Sequence, residues 1–218
     1  MTDTAALDLA SLLCSRLCHD MLSPVGALSN GLELLRDEKD PEMRKRCMEL
    51  LEQSAKASAD KLKFFRLAFG AAGGFGQMVS VSEARELITA LIGDSGRITL
   101  DWKVPSAELP KAAVKTLLNL AAIGLEALVR GGTLEVGAEL TGEASEIVIR
   151  AAGPRIAFDE TIGHALDGSL PSADLSSRTA PAAMIHQLAA STGGGVQWHH
   201  GEDALVMGAV LPHTATHG

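Results

Sequence analysis

The N-terminal third of the chain carries two long amphipathic helical patterns joined by a short polar turn, and few folds accommodate that. On a wheel at about 100° per residue, Leu13, Leu17, Met21, Val25, Leu28, Leu32 and Leu35 share a stripe roughly 120° wide. The pattern predicts a helix from about Thr4 to Arg36. The segment RDEKD follows as a turn, and Asp40-Pro41 reads as an N-cap followed by proline at the first helical position. A second helix continues to about Phe69, with Met43, Cys47, Leu51, Ser54, Ser58, Leu62 and Phe65 on its periodic positions. A lone hairpin cannot bury a stripe of this length, so partner helices are required.

The glycine-rich stretch GAAGGFG, Gly70 to Gly76, breaks the pattern and reads as a linker. Beyond it strands and helices alternate. Strands are expected at Gln77–Val81, Ile98–Val104, Thr133–Leu140, Glu146–Ala152, Val196–His200 and Ala204–Leu211. Helices are expected at Ser82–Ile92, Pro110–Val129 and Thr179–Ser191, the last stopped by Gly193-Gly194-Gly195. The stretch from Ala152 to about Ser177 reads as a loose loop. The class is α+β: a helical hairpin over residues 1–70, then an α/β sandwich over residues 77–213 with helices on one face of a mixed sheet.

The net charge of −8 argues against a nucleic-acid binder, which needs a basic face. No apolar run is long enough for a membrane span, and the N-terminus lacks the basic region of a secretory signal. With three cysteines, an odd count, a reduced cytoplasmic chain is the simplest expectation.

His19 falls roughly 180° from the centre of the apolar stripe, among Leu12, Ser15, Arg16, Ser23, Gly26, Asn30 and Glu33. That flank is mostly small or polar and stays open when the stripe packs. A lone helical histidine is usually an ordinary surface residue. Here its neighbours shift the balance. Asp20 can orient one ring nitrogen and leave the other as a nucleophile. Ser23 lies one turn on, and Arg16 one turn back, where it can offset negative charge on a phosphorylated ring. Leu22, Gly26 and Asn30, with Arg16, are expected on the docking face for a partner. Pro24 is an unfavourable residue for a helix interior, the kind of local conflict that marks functional sites.

Other signals are weaker. Cys14 and Cys18 face the stripe while His19 points away, so buried thiols are expected rather than a metal cluster. His199 and His200 point to opposite faces of a strand. His213 and His217 are expected in a frayed tail, and Lys61, Lys63 and Arg66 to serve solubility and the helix dipole.

The series H-D-x-x-S-P at His19, Asp20, Ser23 and Pro24 resembles the phospho-acceptor box of dimeric histidine kinases. Downstream, VKTLLNLAAIGLEALVRGGTLEV resembles the N-box helix of the kinase ATP-binding domain with the strand that follows. IVIRAAGPRIAF resembles its first glycine box, AAMIHQLAASTGGGVQ the helix after the second, and ALVMGAVLP the closing strand. The likeness covers nearly the whole chain in order. Its departures are as informative. Asn119 is present, but Ile123 stands where a second metal-binding asparagine is expected. Ala151 replaces the adenine-binding aspartate and Arg155 the second glycine. Thr179, Ala180, Pro181 and Ala182 occupy the place of a glycine-rich phosphate loop, which relies on close backbone N–H groups that Pro181 lacks.

A degenerate kinase with an intact histidine resembles the ChpT-type histidine phosphotransferases of alphaproteobacteria. The resemblance implies a homodimeric four-helix bundle beside a Bergerat-type ATPase-like domain that has lost nucleotide binding. It implies that His19 takes phosphoryl from the receiver aspartate of a hybrid kinase (CckA-like). His19 then passes it to response regulators (CtrA-like, CpdR-like), with Asp20 and Ser23 assisting. It implies no cofactor or metal of the chain's own, Mg²⁺ being carried by the receiver, and no nucleic-acid or membrane partner. Two other readings stay open on the sequence: an active ATP-dependent kinase, and a non-catalytic dimeric adaptor for regulators.

Overall fold

The computed structural model describes residues 3–70 and 78–213. The glycine-rich linker therefore falls mostly outside the described residues, as does His217. Helix α1 runs over Asp3–Asp37 and α2 over Pro41–Ala68, an antiparallel hairpin. Its turn is closed by backbone accounting. The Asp40 carboxylate accepts from the N–H groups of Glu42 and Met43, satisfying orphan donors at the start of α2. Arg44 reaches back to donate to the carbonyls of Leu35 in the last turn of α1 and of Glu38 in the connecting turn. Gly31 is where the helices approach closely; a Cβ there would sit 2.8 Å from a methyl of Leu51.

The second part comprises β1 (Met78–Ser80), α3 (Val81–Ile92), β2 (Ile98–Lys103), β3 (Glu108–Pro110), α4 (Lys111–Ala127), β4 (Gly132–Leu140), β5 (Ala144–Ala152), α5 (Glu160–Asp167), α6 (Ala180–Ser191), β6 (Gly195–His200) and β7 (Ala204–Pro212). Five strands form one sheet in the order β2-β4-β5-β7-β6; β2 and β4 are parallel and the other pairs antiparallel. Alternate residues of β4, β5 and β7 are buried, among them Leu134, Val136, Ile147, Ile149, Leu205 and Met207. That period-two pattern puts one face of the sheet under the helices and leaves the other to solvent.

The loop expected from Ala152 to Ser177 is instead partly ordered. It holds α5 and a 3-10 turn at Ser172–Asp174. The signals are local. Asp159 caps α5 by accepting from the Thr161 N–H, and Gly168 ends it in the left-handed conformation at φ 80°. β3 was also not expected; it is three residues long and pairs with β1. His213, expected to fray, is anchored: its N–H donates to the Glu143 carbonyl and its ring is 3.0 Å from the Ser145 hydroxyl.

The hairpin is planted on the second part through a shared core. Leu9 of α1 and Phe64, Phe65, Leu67 and Ala68 of α2 join the same buried cluster as Val114, Leu117 and Leu118 of α4. Phe65 stacks on Phe69 at 5.5 Å and meets Phe64 edge-on at 5.8 Å. Each buried Phe contributes on the order of 2 kcal/mol of transfer free energy. Higher up, the stripe is only half covered. Val25 and Leu32 are exposed, and so are Cys14 and Cys18, the thiols expected to be buried.

α1 continues unbroken through Pro24, which is buried. Pro24 has no N–H for the carbonyl of Asp20, four residues earlier. The Lys61 ammonium of α2 donates to that carbonyl at 2.9 Å. Lys61, expected to serve solubility and the helix dipole, thus replaces the helix hydrogen bond that the proline removes. Replacing Lys61 by Met strands a part-buried acceptor and is expected to cost about 1 kcal/mol in denaturant unfolding. In a Pro24→Ala background the helix supplies its own N–H, so the same change should cost little. Additive losses in the double-mutant cycle would contradict this coupling.

Candidate functional site

His19 lies midway along α1 with its side chain 82% exposed. Its Nδ1 is 3.1 Å from Oδ1 of Asp20. An ionised carboxylate only accepts, so Nδ1 carries the proton of this bond, and in the neutral ring Nε2 is left with a free lone pair. The other oxygen of Asp20, Oδ2, accepts from Nε of Arg16 at 2.7 Å. Arg16 in turn donates through Nη2 to Glu126 of α4. His19, Asp20, Arg16 and Glu126 therefore form one chain of alternating hydrogen bonds. It starts at the exposed ring and ends on the second part of the molecule. Burial works against the charge on Arg16, but Glu126 and then Asp20 outweigh it, and the guanidinium titrates above its ordinary value.

The other expected residues separate into two groups. Leu22, Ser23 and Asn30 are exposed on the same flank as His19, and Leu22 is 71% exposed. Gly26 leaves that flank open, since a Cβ there would meet nothing within 4 Å. These positions surround the ring without covering it. Arg16 is different. Only 19% of its side chain is exposed, and its guanidinium is turned inward to Asp20 and Glu126.

Glu126 and Lys61 were not among the residues that the sequence singles out for the site. Glu126 left only a faint trace: it is the lone charged residue between Lys115 and Arg130. Lys61 had no such mark, because its role appears only once Pro24 and α2 are side by side.

Of the positions that the kinase resemblance ties to a nucleotide, Asn119, Ile123 and Pro181 border a cleft over α4, and each also has packing partners. Asn119 is 2% exposed, and its amide donates to the carbonyls of Ala68 and Lys115. The first of these bonds caps the end of α2, so the amide is committed to packing the hairpin down. Ile123 and Ala151 are buried apolar groups, and Ala180, Pro181 and Ala182 are packed at the start of α6. Arg178 is paired with Asp159. A cleft of about 510 Å³ remains over α4, and Arg16, Asp20, Lys61 and Phe64 of the hairpin line one side of it. Among the described residues no group of three or more His, Cys, Asp or Glu is placed to hold a metal ion. No helix among them is long and apolar enough to cross a membrane.

Comparison with known proteins agrees with this geometry. Residues 81–204 match the family model of the histidine phosphotransferase C-terminal domain. The chain is 41% identical over 149 residues to protein phosphotransferase ChpT of Brucella abortus (strain 2308), covering 68% of this chain and 69% of that one. A solved bacterial phosphotransferase superposes with a TM-score of 0.80 at 32% identity, covering 94% of this chain and 96% of its own. The histidine kinase ThkA, solved in complex with response regulator protein TrrA, shares the fold more distantly. Its TM-score is 0.51 at 14% identity, over 96% of this chain and 63% of that one. An exposed histidine on a helical hairpin, the kinase-like sheet behind it and these matches converge, and the chain belongs to the ChpT-type family of histidine phosphotransferases.

Proposed function

We propose that the chain carries phosphoryl groups in a multistep phosphorelay, through His19, as a cytoplasmic homodimer. The group arrives from the aspartyl phosphate of a receiver on a CckA-like hybrid kinase. It leaves to the aspartate of CtrA-like or CpdR-like response regulators. The observation that carries this reading is the exposed His19 ring with Nδ1 engaged by Asp20, in a chain of phosphotransferase family. The complex of ThkA with TrrA, on a related fold, supports partners of the response-regulator kind.

In the accepting step the Nε2 lone pair attacks phosphorus in line. The N–P bond forms and the P–O bond to the receiver aspartate breaks, with the electron pair leaving on that carboxylate. The ring is then phosphorylated at Nε2 and protonated at Nδ1, and its positive charge faces Asp20. The same changes in reverse, onto a second aspartate, complete the relay. The receiver brings Mg²⁺ and its own charged groups, so this chain needs no cofactor of its own and contributes positioning. Leu22, Ser23, Gly26 and Asn30 form the flank on which a receiver rests, and Arg16 bounds it on the inner side.

Two further features belong to the proposal. The half-covered stripe with Val25 and Leu32 exposed supports a second hairpin packing against the first, giving a four-helix bundle. The commitments of Asn119, Ile123, Ala151 and Pro181 do not fit Mg-ATP, which supports a domain without nucleotide binding or autokinase activity.

Incubation with radiolabelled phospho-receiver tests the central step. Wild type should become labelled and His19→Gln should not; equal labelling of the two would overturn the assignment. Titration calorimetry with millimolar Mg-ATP should show no saturable heat, whereas a saturable isotherm would restore the kinase reading. In sedimentation the wild type should run at twice the 22.7 kDa chain mass. The double change Val25→Asp with Leu32→Asp should run at one chain mass. A wild type that sediments as a single chain would remove the dimer.

A further inference from the structure

We infer that Glu126, on the second part of the molecule, is a positioning residue for the His19 ring, acting through Arg16 and Asp20. This rests on His19 being the phosphoryl acceptor and adds a role for the domain behind it.

The geometry is specific. Asp20 gives one carboxylate oxygen to His19 and the other to Arg16. Arg16 splits its fork, with Nε on Asp20 and Nη2 on Glu126. Asp20 has short side-chain reach and few rotamers, so two charge-assisted bonds fix its plane. A fixed acceptor fixes the proton on Nδ1. A histidine ring left to itself favours the Nε2–H form, in which the outward nitrogen has no lone pair to attack with. The tie to Asp20 therefore selects the reactive tautomer.

Glu126 governs how strongly that tie holds. It shares the Arg16 charge, so that Asp20 is not the sole counter-ion of the guanidinium. It also draws the guanidinium toward α4, setting the side from which Arg16 approaches Asp20. Without Glu126 the full charge of Arg16 falls on Asp20, which becomes a poorer acceptor for the ring and less fixed in place. The other charged group against Asp20 is Lys61 of α2, which is engaged on the backbone carbonyl and leaves the carboxylate to Arg16 and His19. Since α1 and α4 belong to different parts of the molecule, the same chain makes His19 sensitive to how the two are seated. Any displacement of α4 from α1 would open the Arg16–Glu126 pair first, because that pair alone in the chain crosses between them.

The test uses full-length protein labelled with ¹⁵N-histidine, the His19 ring being identified by the signal lost in His19→Gln. In the wild type, two-bond ¹H–¹⁵N correlations should show Nδ1 protonated. In Glu126→Gln the ring should move toward the Nε2–H form, and phosphoryl acceptance should slow about tenfold. Glu126→Asp, which keeps the charge, should lie closer to wild type on both readouts. A Glu126→Gln protein with the wild-type tautomer would overturn the inference, even if transfer slowed, because a merely structural clamp slows transfer without moving the proton. If the wild type accepted no phosphoryl on His19, the functional reading would fail, and the tautomer measurement would still decide whether Glu126 orients the ring.

Discussion

Pro24 removes the hydrogen bond that the Asp20 carbonyl would receive in an uninterrupted helix, and Lys61 from the second helix supplies another. At the other end of the same residue, the carboxylate is divided between His19 and Arg16. Asp20 is thus held by backbone and side chain at once, by groups from two helices. The exposed ring beside it inherits that order. An imidazole with 82% of its side chain in solvent would otherwise sample many rotamers, and a partner domain would have to select one at an entropic cost. The anchoring spends that cost during folding rather than at the encounter.

The second part of the molecule has the fold of a histidine kinase ATPase-like domain. Its sheet and helices are kept, and α4 still packs across β4, β5 and β7. Asn119, midway along α4, caps the end of α2, and Glu126, next to last in α4, meets Arg16. Both residues face the hairpin. The core that runs from Leu9 through Phe65 to Leu118 secures that contact.

Much of this was legible in the residues. The 3.6-residue period, the Asp40-Pro41 start and the triple glycine after α6 are strong local signals, and the helices they imply are present. His19, Asp20 and Ser23 carried a motif of definite spacing, and the exposure of the ring followed from its place opposite the stripe. What stayed hidden depended on contacts distant in sequence. Lys61 acts on a residue 41 positions away and Glu126 on one 110 away, and neither spacing leaves a periodic trace. The helix α5 was missed for another reason. Its eight residues are too few for periodicity to register, so only the Asp159 cap and Gly168 announced it. The exposure of Cys14 and Cys18 has a third cause. The wheel identifies which residues seek burial, but α2 alone leaves that side of α1 uncovered.

If Asp20 fixes the proton on Nδ1, Nε2 of His19 is the atom that meets the incoming phosphorus. The most direct measurement is the site of attachment in the phosphorylated protein, read by ³¹P and ¹⁵N correlation on histidine-labelled chain after transfer from a phospho-receiver. A single phosphorus resonance coupled to Nε2 of His19 is expected. Attachment at Nδ1, or at any other residue, would contradict it.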